Sequence, residues 1–81
     1  MMKAFRIQHE RSYGLSPVLL LQNRVIEAET AEQALRKAMR GLGGESCIEV
    51  RHNDLALADR SNPATCFDFW KAEVEPYCAN N

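Results

Sequence analysis

One segment constrains the fold more than any other, the stretch that begins at Thr30. Residues 30–33, Thr-Ala-Glu-Gln, match a capping box, in which the threonine hydroxyl accepts from the backbone N–H of Gln33 and the glutamine side chain reaches back. Apolar residues at helical spacing follow, namely Ala34, Leu35, Ala38, Met39 and Leu42. The glycines Gly41, Gly43 and Gly44 provide the signal that ends the helix. This pattern predicts one amphipathic helix that must cover an apolar surface elsewhere in the chain.

Alternating segments on both sides of this helix predict strands for it to cover. Apolar and polar residues alternate over residues 3–10, with Phe5 and Ile7 on the apolar side, and predict a first strand. Residues 18–28 indicate a second, longer strand that makes an antiparallel hairpin with the first. Asn23 marks a bulge or a second turn in it, and the apolar run 18–21 is best explained as buried. Residues 47–51 and 55–58 alternate around a His-Asn-Asp turn and predict a second hairpin.

The segment after the second hairpin carries conflicting signals. Residues 59–65 are polar and predict a loop, and Asn62-Pro63 resembles a helix cap followed by a first-turn proline. Aromatic and β-branched residues between 65 and 77 favour a last strand instead. We therefore expect a single α+β domain over residues 1–81, an antiparallel sheet of about four strands with one amphipathic helix packed on one face. This ββαββ-like arrangement ends in a tail strand or a short helix.

Length and composition exclude several classes. A chain of 81 residues with 46% hydrophobic residues and net charge -1 is too short for a doubly wound nucleotide fold or a barrel enzyme, and it is neither disordered nor membranous in composition. The start lacks the apolar run of an export signal, and three cysteines do not suggest a disulfide framework, so we expect a cytoplasmic protein with reduced thiols. A domain this small has a thin core that a partner would stabilise, which leaves a homodimer open.

The net charge conceals an asymmetry between the two halves of the chain. Residues 1–40 carry seven basic and four acidic residues, a net charge of +3, whereas residues 41–81 carry three basic and seven acidic residues, a net charge of -4. Such polarity can steer a partner, although small domains often divide their charge this way by chance.

No segment carries a recognisable chemical motif. The spacing of Cys47, His52, Cys66 and Cys78 contains no zinc knuckle. No sequence motif near His9 or His52 marks a catalytic nucleophile. The glycines follow the helix, whereas a phosphate-binding loop precedes one. We therefore expect no metal, no cofactor and no catalytic activity. Single-strand binders usually carry a clear positive excess that this chain lacks, so nucleic-acid binding is a weaker alternative.

Protein recognition is the remaining class, and large aromatic and charged residues supply its candidates. Tyr13 at the first hairpin tip, with Arg11 and Arg24 beside it, has the composition of an interface. The second half adds aromatic anchors and acids. The candidate partner-binding residues are Arg11, Tyr13, Arg24, Asp68, Trp70, Glu73, Glu75 and Tyr77. The alternative interpretation is that at least two of Phe67, Phe69 and Trp70 complete the core.

The order strand, strand, capped helix, hairpin, with residues 25–38 at its centre, resembles small proteins of phages and prophages, including some anti-CRISPR proteins. These are similar in length and pack one helix on an antiparallel sheet. The resemblance implies an inhibitor, in the host cell cytoplasm, that binds a bacterial CRISPR effector complex and blocks target-DNA binding or nuclease recruitment.

A second resemblance is to the small non-catalytic subunit of the phenylacetyl-CoA oxygenase complex. The residues that carry it are Gly14-Leu15-Ser16, the helix residues 31–36 and the strand 48–51. It implies an accessory subunit of a multicomponent enzyme. Both resemblances imply a protein that acts by binding another protein.

Overall fold

Five strands pair into one antiparallel sheet in a computed structural model that describes residues 1–14, 17–42, 45–62 and 66–75. The strands are β1 (Lys3–Ser12), β2 (Leu19–Ala28), β3 (Ile48–His52), β4 (Leu55–Asn62) and β5 (Cys66–Val74). Their order across the sheet is β2-β1-β5-β4-β3. One α-helix, α1 (Ala31–Met39), joins the two hairpins, and a 3₁₀ turn (Glu45–Cys47) precedes β3.

The expected sheet of about four strands packed against an amphipathic helix is wrong. Over the described residues the sheet has five strands, and 62% of these residues are strand and 17% helix, with a single short α-helix. The tail supplies β5, which pairs with β1 on one side and with β4 on the other. Hydrogen bonding along both edges of β5 outweighs the helix-start signal at residues 62–63. Strand β4 also continues to Asn62, through residues predicted as a loop.

The start of α1 confirms the capping prediction. Thr30 has extended backbone angles, and its Oγ1 accepts a hydrogen bond of 3.2 Å from the backbone N–H of Gln33. The Gln33 side chain reaches back to accept from the backbone N–H of Glu29 at 3.1 Å. Gly41 has a φ of +80°, the left-handed geometry that ends helices, so Leu42 lies beyond the helix and is exposed. No helix among the described residues is long and apolar enough to cross a membrane.

The two faces of the sheet differ in burial because successive side chains of a strand point to opposite faces. The face that α1 covers, the helix face, holds the buried side chains of the strands, Phe5, Ile7, His9, Ala28, Ala56, Ala58, Asp68, Trp70 and Ala72. The opposite face, the open face, carries the alternate residues of each strand. None of its described side chains is buried.

Alanine dominates the core. Among the described residues, twelve buried hydrophobic side chains form the cluster between α1 and the sheet, and seven of them are alanine. The largest fully buried side chains are Phe5, Ile7, Leu35 and Met39. Small side chains let the helix approach the sheet closely, but they bury little apolar area per residue. Several large apolar residues are correspondingly left on the surface.

The pairing of β1 with β2 contains one irregularity. His9 pairs with Gln22 and Glu10 pairs with Leu20, which leaves Leu21 as an extra residue on β2. The predicted interruption at Asn23 is therefore misplaced, since Asn23 pairs regularly with Gln8. A bulge of this kind reverses which face the following side chains point to.

We predict that Thr30→Ala lowers the free energy of unfolding by about 1 kcal/mol, because it removes the acceptor for the Gln33 N–H. Urea unfolding followed by circular dichroism measures the change. Thr30→Ser retains the hydroxyl and serves as the control. A stability loss in Thr30→Ser equal to that in Thr30→Ala would contradict the capping role.

Candidate protein-binding surface

An apolar run occupies the edge strand β2 and the residue before it. The side chains of Val18, Leu19, Leu20 and Leu21 are between 43% and 57% exposed, so the expectation that this run is buried is wrong. Edge strands offer unpaired backbone groups, and proteins usually protect them with charged side chains or short length. The opposite edge, β3, has both protections, with five residues that include Glu49 and Arg51. The apolar end of β2 has neither.

The bulge distributes this apolar run over both faces of the sheet. Leu20 pairs with Glu10 and therefore shares the open face with it, whereas Leu19 pairs with Arg11 and lies on the helix face. Without the extra residue Leu21, the side chain of Leu20 would point to the helix face instead. The apolar surface consequently wraps around the edge of the sheet.

Two phenylalanines of β5 extend this surface across the open face. Phe67 is 42% exposed and Phe69 is partly exposed, and both line a pocket of about 150 Å³ together with Val18. Glu10, Arg11 and Ser12 complete its walls. We call the combined surface the apolar corner, and it consists of Val18, Leu19, Leu20, Leu21, Phe67 and Phe69.

A buried carboxylate lies between these two phenylalanines in sequence and on the other face of β5. Asp68 receives two hydrogen bonds from Arg11, from Nε to Oδ1 at 2.7 Å and from Nη2 to Oδ2 at 3.1 Å. The Arg60 guanidinium lies 3.7 Å from Oδ2 and also donates to the Leu42 carbonyl at 3.2 Å. The hydrogen bonds from Arg11 hold the pKa of Asp68 below its usual value and raise the pKa of Arg11.

His9 packs beside this carboxylate in the core. Its ring stacks on the Trp70 indole, with centroids 3.5 Å apart and an interplanar angle of 12°. Its Nε2 lies 3.8 Å from Asp68 Oδ1 and has no hydrogen-bond partner within the described ranges. Burial lowers the pKa of His9, and the nearby Asp68 carboxylate opposes that shift only in part. The lowered pKa favours a neutral imidazole.

The structure brings three of the predicted partner-binding residues together. Arg11, Asp68 and Trp70 all belong to this cluster on the helix face, but Asp68 and Trp70 are buried, each only 3% exposed. They therefore lie behind the molecular surface. Arg11 remains partly exposed and borders the pocket that Phe67 and Phe69 line.

Of the other predicted residues, Tyr13 borders the cluster through a side-chain hydrogen bond with Arg11, whereas Arg24, Glu73 and Glu75 lie apart from it. Arg24 is on β2, where its Nε donates to the Gln22 side chain at 3.0 Å, and Tyr13 is exposed just after β1. Glu73 and Glu75 are on the open face, paired with Lys71 at 3.1 Å and with Arg6 at 2.8 Å. The hydrogen bonds from Arg6 lower the pKa of Glu75. Tyr77 lies outside the described residues.

The expectation that at least two of the three aromatic residues of β5 complete the core is not met. Only Trp70 is buried, because Phe67 and Phe69 have the opposite parity and point to the open face. The sequence did not predict the apolar corner either. An apolar run predicts a buried strand when its position in the sheet is unknown, and β2 turns out to be an edge.

The residues considered for metal binding do not converge. Among the described residues, no group of three or more His, Cys, Asp or Glu side chains is arranged to hold a metal ion. Cys47 is exposed, Cys66 lies with its Sγ 3.8 Å from Asp68 Oδ1, and Cys78 is outside the described ranges. His52 serves its turn, where Nδ1 accepts from the Asp54 backbone N–H at 3.2 Å.

Comparison with known proteins finds no match: no family model fits the chain, and neither a curated protein nor a solved structure is similar to it. The function of the chain is therefore inferred from its own residues.

We predict that Asp68→Asn lowers the free energy of unfolding by about 2–3 kcal/mol, because it removes a buried charged acceptor from Arg11. Denaturant unfolding at neutral pH measures the loss. Glu73→Gln is the matched control, since its pair with Lys71 is partly exposed and should contribute less than about 0.5 kcal/mol. Equal effects of the two amide substitutions would contradict a stabilising role for the buried pair.

We predict that acidification destabilises the fold in two stages. Because the pKa of His9 is lowered by folding, its contribution is complete above the ordinary value of 6.5 and is lost as the pH falls through the folded pKa. Asp68 also has a lowered pKa, so its contribution is lost only below its ordinary value of 3.8.

Free energies of unfolding measured between pH 7.5 and pH 5 test the first stage. His9→Phe keeps an aromatic ring against Trp70 and removes the titrating group, so it should show a smaller decrease over this interval. The same pH dependence in His9→Phe and the unsubstituted protein would show that His9 is not the group responsible.

Proposed function

We propose that this chain is a non-enzymatic protein-binding module that engages its partner through the apolar corner. The observation that carries the proposal is the exposed run Val18–Leu21, which begins just before edge strand β2 and contains no charged side chain. Burial of such residues against a partner removes apolar area from water, at about 25 cal/mol per Å². Large exposed apolar patches on small proteins commonly mark interaction sites.

The distribution of apolar residues supports the same function. Alanine supplies more than half of the buried hydrophobic cluster, while leucine, valine and phenylalanine lie on the surface around β2 and β5. A domain selected only to fold alone would gain stability by placing its larger side chains inside. Retaining them outside is consistent with a surface that is covered when the partner binds.

The clustered titratable residues also fit binding better than catalysis. Arg11 and Arg60 both pair with the buried Asp68 carboxylate, and the His9 Nε2 lies 3.8 Å from it. Arg11 contributes to the fold through Asp68 and borders the pocket of the apolar corner. We propose that this cluster, on the helix face of the sheet, holds β1 and β5 in register and thereby fixes the positions of the apolar-corner residues on the open face.

The partner class that we propose first is the one the resemblance implies, a bacterial CRISPR effector complex met in the cytoplasm of a host cell. An oxygenase-type multicomponent enzyme, for which the chain would be an accessory subunit, is the alternative. Both would use the same surface, and purified complexes of each class can be tested directly.

The proposal predicts that Leu20→Lys weakens partner binding by at least about tenfold, because the lysine ammonium would have to be desolvated in an apolar contact. The assay captures partners from a bacterial lysate on the tagged chain, identifies them by mass spectrometry and measures binding again with the purified partner. A CRISPR effector or an oxygenase assembly is the expected capture.

Val50→Lys is the matched control on the opposite edge strand. Val50 is 48% exposed and Leu20 is 53% exposed, so each substitution adds one lysine to an edge strand at a position of similar exposure. Val50→Lys should change the affinity less than threefold. Equal weakening by both lysines, or unchanged binding by Leu20→Lys, would exclude the apolar corner as the binding surface.

A further inference from the structure

The open face has a charge pattern that points to the chemistry of the partner. Strand register, together with the ion pairs of Glu75 with Arg6 and of Arg51 with Glu49, places three basic and six acidic residues on this face, a net charge of -3: Arg6, Arg51 and Lys71 against Glu10, Glu27, Glu49, Asp59, Glu73 and Glu75. The rest of the molecule is correspondingly basic, with the other seven basic residues against five acids. A partner that covers the open face meets an excess of negative charge.

Ion pairs within the face account for only half of its acids. Arg6 pairs with Glu75 at 2.8 Å, Lys71 with Glu73 at 3.1 Å and Arg51 with Glu49 at 3.3 Å. Among the described side chains, no basic group lies within ion-pair distance of Glu10 or Asp59. These two carboxylates are therefore available to a cation from outside.

Glu10 and Asp59 flank one aromatic side chain of the apolar corner. Glu10 of β1 pairs with Phe69 of β5, and Phe69 pairs with Asp59 of β4, so the three lie in one row across adjacent strands. Neighbouring strands are about 4.8 Å apart, so the backbones at Glu10 and Asp59 are about 10 Å apart, with Phe69 on the strand between them. Leu20 continues the same row on β2.

Pockets lie on both sides of this ring. The pocket of about 150 Å³ borders Phe69 and Glu10, and a second pocket of about 180 Å³ borders Phe69 and Asp59. Each pocket therefore joins the same aromatic wall to acidic side chains, Glu10 in the first and Asp59 with Glu49 in the second. Each lining also includes one arginine that is already paired with a carboxylate, Arg11 with Asp68 and Arg51 with Glu49. A lysine or arginine side chain over the ring would find its apolar stem in contact with phenyl carbon and its charge near an acid.

We infer that the open face docks a basic protein segment, with a lysine or arginine of the partner lying against Phe69 between Glu10 and Asp59. This inference rests on the proposed function and names the chemistry of its partner. Adjacent apolar residues of that segment would contact Leu20, Val18 and Phe67. A phosphate-rich ligand such as nucleic acid is disfavoured on this face, because the net charge of -3 would repel it.

A defined peptide provides the test. The probe is a ten-residue peptide of alternating leucine and lysine, titrated at low salt into the full ¹⁵N-labelled chain, and the same peptide with glutamate in place of lysine is its counterpart. We expect the lysine peptide to shift the amide resonances of Glu10, Asp59 and Phe69, and the glutamate peptide to leave them unchanged. Equal binding of the two peptides, or shifts confined to α1, would overturn the inference.

Charge-neutral variants then separate a specific site from general attraction. Glu10→Gln with Asp59→Asn should weaken binding of the lysine peptide about tenfold, because each carboxylate contributes a surface-type ion pair. Glu29→Gln with Glu32→Gln removes two carboxylates beside and within α1 and changes the net charge by the same amount. That control should change binding less than twofold, and equal weakening by both pairs would overturn the inference.

Single substitutions keep the test decisive if the double variant is poorly folded. Asp59 is exposed, so Asp59→Asn alone should retain the fold and weaken binding about threefold. Partner capture distinguishes failure of this inference from failure of the proposed function. If capture depends on Leu20 but not on Glu10 and Asp59, only the inference fails, whereas capture that is independent of Leu20 removes the proposed function.

Discussion

The central position of β5 between β1 and β4 is the constraint on which the other features depend. Both edges of this strand are hydrogen-bonded, so its register is held from two sides. That register places Trp70 and Ala72 under the helix and Asp68 against Arg11, and it leaves Phe67 and Phe69 on the open face. A shift of one residue would exchange these two sets, burying the phenylalanines and exposing the carboxylate.

Small side chains fill the core, while several large apolar side chains lie on the surface. The space between α1 and the sheet is filled mainly by alanine, with Phe5, Leu35, Met39 and Trp70 as the larger contributors. Leucines that could have enlarged this core instead occupy the edge strand, where the bulge at Leu21 turns Leu20 toward the open face. The polar cluster around Asp68 offsets part of the lost apolar burial, because the carboxylate accepts hydrogen bonds from Arg11 of β1 and lies in ion-pair contact with Arg60 of β4.

Local elements were predictable to the extent that their signals are local. The capping box at Thr30, the glycine stop at Gly41 and the two hairpins follow from residues that are neighbours in sequence. The number of strands was underestimated, because the tail looked like a strand or a helix until its two partners were known. Of the predicted partner-binding residues, Arg11 borders the apolar corner, while Asp68 and Trp70 lie behind it. The difference between Trp70 and Phe69 is one of parity, and parity alone does not say which side of a strand faces the helix.

Sequence by itself determined the helix, its N-terminal cap and the alternation of the first strand and of the second hairpin, since these depend on backbone preferences over a few residues. It also determined the amounts of positive and negative charge, with a surplus of base in the first half and of acid in the second. Only the tertiary structure decided that β2 is an edge, that the run Val18–Leu21 is exposed and that the acids gather on the open face. Strand pairing is the physical reason, because it joins residues far apart in the chain, such as Glu10 with Phe69 and Phe69 with Asp59.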